Sequence, residues 1–248
     1  MGAGSGRPAV ALADALAEAI ADGAVVATGG GELSRKPVAA VRQLVTLGRR
    51  DLVLVTLLGS VDVELLLAAG LVAELHSAGV ALEGLAPHYR AARQDGEPRV
   101  VEWSEGLLTA ALQAASLGLD STLWRGGTGT DLPAVNPWLR EIADPHTGAP
   151  VLAVRALEPD VALLHVPAVD EEGNAYCDGD LVVDAVLARA AKHVIVTYER
   201  RVEVVDEPRA AISRVWIDEA FELPGGARPT GCFPDYGPDR GGLRELAT

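Results

Sequence analysis

Short apolar runs alternate with segments of helical periodicity along most of the chain, and this alternation constrains the fold more than any other feature. Strands are predicted at Ala24–Ala27, Leu52–Leu57, Val72–Leu75, Val100–Trp103, Val151–Val154, Val161–His165 and His193–Tyr198. Helices are predicted over Val10–Ile20, from Pro37 through Val38, Val41, Leu44 and Val45, over Val61–Ala69, over Leu107–Leu117 starting at Ser104-Glu105, and over Leu181–Ala191. Pro37 suits a first helical turn, where its missing N–H costs nothing. Strand–helix alternation of this kind predicts an α/β fold, an open and mostly parallel sheet with helices on both faces. Two stretches escape the pattern. One is an irregular segment containing Pro87 and the charged run Arg90–Arg99; the other, Gly126–Pro150, is rich in Gly, Pro, Asp and Thr and reads as a small loop-rich lobe or lid. Arg214–Asp218 is read as an edge strand. One domain over residues 1–248 is the economical count, with a flexible stretch at 1–9 and an irregular tail, 224–248, wrapped over the surface.

Composition narrows the function. With 248 residues, 49% of them hydrophobic, the chain can bury a sizeable core, and with only 4% aromatic residues Ala, Val and Leu must fill it. The formal charge of −14 excludes a general attraction to nucleic acid or anionic lipid. A polyanionic ligand, a nucleotide or coenzyme A, would need backbone N–H groups and a few local cations, mostly arginines, since Lys36 and Lys192 are the only lysines. Cys177 and Cys232 are too few for a disulfide framework or a thiolate zinc site, and no segment reaches the roughly 18 apolar residues of a membrane helix. A soluble protein of the reducing cytoplasm is expected.

Several clusters carry possible chemistry. Thr28-Gly29-Gly30-Gly31, between a strand and a helix, is either a tight turn needing positive φ or a cradle whose N–H groups face an anion. It lacks the spacing of a dinucleotide fingerprint or a phosphate-binding loop. Arg35 and Lys36 follow, as anion contacts or as a solvated helix start. Glu102 and Glu105 flank the N-cap Ser104; a carboxylate there stabilises the helix dipole, and at a strand-to-helix junction it can also serve as general base or nucleophile. Trp124 to Asp131 forms a second glycine cluster, with Arg125 beside Gly127 and Gly129, as surface loop or phosphate cradle. His165, near Asp170, reads first as a satisfied buried histidine, and Cys177 as a structural thiol. The histidines show no metal-ligand spacing, so no metal site is expected.

Taken in order, these pieces resemble the α subunit of class I, glutaconate-type, coenzyme A transferases over nearly the whole chain. The likeness is carried by Asp22-Gly23, Gly29-Gly30-Gly31, Arg35-Lys36-Pro37, Glu102 ahead of Ala114-Ala115-Ser116-Leu117-Gly118, Gly129-Thr130-Asp131, Pro159 to His165, Asp170 with Gly173-Asn174, Ala190-Ala191-Lys192, and Gly225 to Thr230 with Cys232. The resemblance implies a CoA-transferase/NagB-like sheet and a β-subunit partner, in αβ or α2β2 assemblies, with the active site at the subunit junction. A β-subunit glutamate would attack the acyl-CoA thioester, giving an acyl-glutamyl anhydride and then a glutamyl-CoA thioester, while Gly30 and Gly31 help to hold the oxyanion. Gly29, Arg35, Lys36, Glu102, Arg125, Gly127 and Gly129 are the implied substrate contacts. Coenzyme A is then a substrate, exchanged between carboxylic acids, and not a bound prosthetic group.

Some pairs of this superfamily lack the β glutamate and carry out hydrolytic ring opening or decarboxylation on CoA thioesters. The stretch Glu102-Trp103-Ser104-Glu105-Gly106 resembles that of the ring-opening hydrolases, where the glutamate matched by Glu105 is the catalytic base. Transferases often carry an uncharged residue there. A third class, a non-catalytic sensor of a sugar phosphate or acyl-CoA, is expected to carry an N-terminal DNA-binding helix pair, for which the sequence before Val10 leaves little room.

Overall fold

A computed structural model describes residues 6–82, 86–179, 181–204 and 210–245. The chain runs α1 (Gly6–Ala19), β1 (Val25–Thr28), α2 (Val38–Leu47), β2 (Leu52–Gly59), α3 (Val61–Ala68), β3 (Val72–Val80), α4 (Pro87–Asp95), β4 (Arg99–Glu102) and α5 (Glu105–Ser116). It continues through β5 (Ser121–Trp124), α6 (Leu132–Val135), β6 (Leu139–Ala143), β7 (Pro150–Arg155), β8 (Val161–Asp170), β9 (Ala175–Tyr176), α7 (Asp184–Ala190), β10 (His193–Val202), β11 (Ala210–Ile212), β12 (Glu219–Glu222) and α8 (Arg240–Glu245).

Seven strands form a parallel sheet in the order β12-β10-β8-β1-β2-β3-β4. The alternation of side chains across each strand splits the core in two. Val26, Leu54, Leu75, Leu163 and Ile195 pack with α1, α2 and α3 on one face, while Ala27, Val55, Val101, Leu164 and Val196 pack with α5 and α7 on the other. All of β8 is buried, as an apolar run covered on both faces requires. From β1 the chain first builds outward to β4, then returns to the other side of β1 through β8. That reversal makes β1 and β8 the switch point of the sheet, and the carboxyl ends of strands at such a point are where open α/β sheets hold ligands. β9 turns back antiparallel against the end of β8, pairing Val169 with Ala175. β5, β7 and β6 form a separate antiparallel sheet, so the expected lobe has regular structure of its own.

Four expectations are corrected. The first helix starts at Gly6, so the part of the expected flexible stretch from residue 6 onward is helical, and residues 1–5 lie outside the described residues. Pro87–Asp95 is a helix within the stretch read as irregular; only Ala92 of it is buried, so it carries no apolar stripe to read. The edge strand is Glu219–Glu222, and Arg214–Trp216 is a single 3-10 turn. The tail after Pro224 does not merely wrap the surface: Ala227, Thr230 and Cys232 are fully buried.

Candidate active site

β1 stops at Thr28 and the chain must reverse inside the protein. Gly30 takes φ +76, and a side chain there would meet the Arg35 carbonyl at 2.5 Å; one at Gly29 would meet an Asp184 carboxylate oxygen at 2.5 Å. At Gly30 the clash is with backbone at a positive φ, so glycine is required there; at Gly29 a side chain would have to displace the Asp184 carboxylate and the Leu164 side chain. Gly31 differs, because the nearest atom to an added side chain is the Ser34 hydroxyl at 3.4 Å. Gly31 pairs with Ser34 across a two-residue tip formed by Glu32 and Leu33, with Glu32 and Ser34 exposed.

All three glycine amides have acceptors within the chain. Gly29 N–H donates to the Leu163 carbonyl at 3.0 Å, Gly30 N–H to Asp184 Oδ1 at 2.7 Å, and Gly31 N–H to the Ser34 carbonyl at 2.8 Å. The bend that was expected to face an oxyanion is thus packed against its own interior. Asp184 stands at the start of α7, just after Val182, a β-branched residue held at φ +51. A conformation of that kind costs on the order of 1–3 kcal/mol and persists only where its surroundings impose it.

Arg35 and Lys36 are likewise drawn inward. Arg35 is buried at φ +55, ion-paired with Asp184, and donates to the His165 carbonyl at 3.4 Å. Burial works against the guanidinium charge, yet Asp184 outweighs it and the pKa of Arg35 is raised. Lys36 is fully buried with its ammonium 3.0 Å from Asp62 and 2.9 Å from Thr56 Oγ1. Burial opposes ionisation of Asp62, but Lys36, the Thr28 hydroxyl at 2.5 Å and the Ser60 N–H at 2.7 Å together hold its carboxyl below the usual range. These cations brace the bend from two sides; neither is displayed as the open anion contact anticipated from their positions.

The tail straps this assembly down. Arg35 N–H donates to the Gly231 carbonyl, Gly231 N–H to the Leu33 carbonyl, and Ala39 N–H to the Gly226 carbonyl. Tyr236 hydrogen-bonds Glu199, which also accepts the Gly225 N–H at 2.6 Å and lies 2.7 Å from His165 Nε2. His165 Nδ1 lies 2.8 Å from the Thr197 hydroxyl. His165, Glu199 and Cys232 sit close enough to suggest a metal cluster. Both ring nitrogens of the histidine are nevertheless engaged, and burial, with Glu199 and Asp235 adding to it, pushes the Cys232 thiol up to about 12. His165 is the satisfied buried histidine its sequence context indicated.

A second group gathers at the end of β4. Glu102 is half-exposed and paired with Arg93, lining a cleft of about 290 Å³ with Arg99 and Val135. Ser104 caps α5 by accepting the Leu107 N–H at 3.3 Å, and Glu105 stands exposed in the first turn. Trp124 lies against Gly106 and Gly126, each of which would collide with its ring at 2.8 Å if it carried a side chain. This packing brings the exposed loop holding Arg125, Gly127 and Gly129 beside the start of α5. Glu102, Glu105 and Arg125 to Gly129 therefore share one end of the sheet, while the glycine bend lies three strand positions away, roughly 14 Å at 4.8 Å per strand.

Asp62, Asp184 and Glu199 were not singled out from the sequence. For two of them the sequence carries a signal, since Asp62 interrupts the apolar run of α3 and Asp184 the apolar stretch from Leu181 to Leu187, and a carboxylate within a buried stripe needs a buried partner.

A family model described as coenzyme A transferase matches residues 9–217. The chain belongs to the coenzyme A transferase family. It is an α chain of that family, similar over most of its length to the A subunit of 3-oxoadipate CoA-transferase from Pseudomonas knackmussii, 31% identical over 78% of this chain and 71% of that one. The cholesterol ring-cleaving hydrolase IpdA subunit of Rhodococcus jostii is 32% identical to this transferase-family chain, over 96% of it and 85% of the relative. An Archaeoglobus fulgidus protein is 35% identical over 87% of the chain and 50% of its own length, so the chain spans half of that relative. Among solved structures, the decarboxylase AibA/AibB matches with a TM-score of 0.84 and 37% identity, covering 93% of this chain and 88% of that one. Glutaconate coenzyme A-transferase from Acidaminococcus fermentans matches with a TM-score of 0.88 and 25% identity, covering 94% and 81%. Among the described residues no helix is long and apolar enough to cross a membrane.

Proposed function

We propose that this chain is one half of a two-chain enzyme that moves coenzyme A between carboxylic acids, with a β-type partner supplying the nucleophilic glutamate. The carrying observation is the engagement of the polar side chains around the glycine bend: Lys36 with Asp62, Arg35 with Asp184, and His165 with Glu199. Groups so engaged are poor nucleophiles, which supports a nucleophile brought to the bend from a partner chain. In the proposed reaction the partner carboxylate attacks the thioester carbonyl, the C–S bond breaks, and CoA leaves as the thiolate. That thiolate then attacks the glutamyl carbonyl of the anhydride, forming a glutamyl-CoA thioester and releasing the first acid as its carboxylate. The acceptor carboxylate attacks this thioester, expelling the thiolate again, and the thiolate attacks the acceptor acyl carbonyl of the new anhydride, giving the product acyl-CoA and the free glutamate. Arg125 and the Gly127–Gly129 turn would meet the substrate next to Glu105, while Gly29 to Lys36 would shape the opposite wall.

A second reading is favoured by Glu105 itself, an exposed carboxylate with no ion-pair partner among the described residues. As in the IpdA-type relative, the pair would hydrolyse a carbon–carbon bond of a CoA thioester, with Glu105 taking the proton from water. The test is to co-express the chain with a β-type chain and to incubate the complex with acetyl-CoA and a panel of carboxylic acids, and in parallel with a cyclic 3-oxoacyl-CoA thioester, following the products by mass. New acyl-CoA species that survive Glu105→Gln support transfer. Incorporation of water oxygen into a product, abolished by Glu105→Gln, supports hydrolysis. Turnover by this chain alone overturns both.

A further inference from the structure

Resting on the second reading above, in which Glu105 is the base of a hydrolytic reaction, we propose that His76 is a positioning residue for Glu105, acting through the indole N–H of Trp103. Among the described residues no hydrogen bond or ion pair holds the exposed Glu105 side chain, so its aim depends on the turn Glu102–Gly106. That turn is pinned at Trp103, two residues before it: Trp103 N–H donates to the Ser77 carbonyl at 3.2 Å, and Trp103 Nε1 donates to His76 Nδ1 at 3.1 Å. On the outer side Asn136 Nδ2 donates to the Glu102 carbonyl at 2.8 Å.

An indole N–H can only donate, so His76 Nδ1 is the acceptor and its proton sits on Nε2. Nε2 in turn donates to Glu74 Oε1 at 2.6 Å, and Glu74 is also 3.3 Å from Arg99. The tautomer is thus fixed from the far side of the ring, as outer hydrogen bonds fix the rings of ligating histidines. Trp138 closes the box edge-on to His76, with ring centroids 5.2 Å apart. His76 and Trp103 are both buried, so neither touches substrate directly; their influence passes through the backbone of the turn.

The test uses the two-chain complex carrying Trp103→Phe, which keeps the ring and drops the N–H, and His76→Leu and His76→Gln. Trp103→Phe and His76→Leu should lower kcat by roughly 10- to 100-fold, the scale of a small misplacement of a catalytic group. KM should stay within about twofold, the mark of an interaction felt only in the transition state. His76→Gln, whose amide oxygen can accept the same bond, should recover most of the rate. Combined with Glu105→Gln, Trp103→Phe should cause no further loss, because both act through one group. Amide exchange over residues 102–107 should rise in Trp103→Phe and His76→Leu while α1 to α3 stay protected. Unchanged kcat, independent losses in the double variant, or unchanged exchange would each overturn the inference. Full activity in Glu105→Gln alone would instead sink the reading of Glu105, and the exchange measurement would still decide whether His76 orders the turn.

Discussion

The Asp184 carboxylate accepts the Gly30 N–H at 2.7 Å and pairs through its other oxygen with Arg35, joining the first glycine bend to a helix 154 residues further along the chain. It also occupies the space a side chain at Gly29 would need. One buried carboxylate thus sets the conformation of the bend, satisfies its central amide and neutralises the cation behind it. Removing it as Asp184→Ala takes the carboxylate from a buried arginine, so the loss of stability should be about 3–5 kcal/mol by denaturant unfolding. Asp184→Asn, which keeps an acceptor for Gly30, should lose less; equal losses would mean that the Gly30 bond contributes nothing.

The three glycines should not be equivalent. Gly29→Ala and Gly30→Ala force contacts at 2.5 Å against a carboxylate and a backbone carbonyl, whereas Gly31→Ala meets nothing nearer than 3.4 Å. The first two should lower the thermal midpoint by several degrees or abolish folding, since about 1 kcal/mol corresponds to roughly 2–4 °C in a chain of this size. Gly31 is buried too, but an added methyl there makes only ordinary van der Waals contact, so Gly31→Ala should melt within a few degrees of the parent. A Gly31→Ala protein as unstable as Gly30→Ala would contradict this geometry.

Acid should loosen the Trp103 box before it unfolds the sheet. Burial pushes the His76 pKa down and Arg99 adds to that, against the opposing pull of Glu74. A histidine depressed in the folded state contributes stability that is fully present above its unfolded value of about 6.5 and is lost as pH falls through the lower folded value. Protonation at Nδ1 would also remove the acceptor for the Trp103 indole. Near-ultraviolet circular dichroism should therefore change below that pH in the parent and stay flat in His76→Gln. The same change in His76→Gln would assign it to another group.

Tyr236 links the tail to the sheet through Glu199. Burial and the Glu199 carboxylate both push the phenol pKa upward, so it remains a hydrogen-bond donor throughout the neutral range. Tyr236→Phe strips a donor from a buried carboxylate and should cost about 1–3 kcal/mol. Limited proteolysis should then cut first within residues 224–239. Unaltered cleavage would mean that the tail is held by its backbone bonds alone.

How far the sequence disclosed all this follows from what each residue's neighbours are. Apolar runs such as Val161–Val166 announce buried parallel strands because burial on both faces leaves no alternation. α4 hid because Pro87–Asp95 is mostly solvated, and a helix without an apolar stripe has no periodic signature. The tail read as surface because Gly, Pro and Asp dominate it, yet Thr230 and Cys232 are buried where it covers the bend. Glu105 was legible through its cap, a local signal. Partnerships such as Asp184 with Gly30 were not, since contacts between distant segments leave no spacing to count. For the same reason Arg35 and Lys36 looked like anion contacts until Asp184 and Asp62 were seen beside them.

The most direct measurement is acyl-CoA turnover by three samples: this chain, a β-type family chain, and the two together. The account predicts that neither chain alone converts acyl-CoA and that the mixture does, with a rate saturating at equal amounts of the two. Full turnover by this chain in isolation would contradict it.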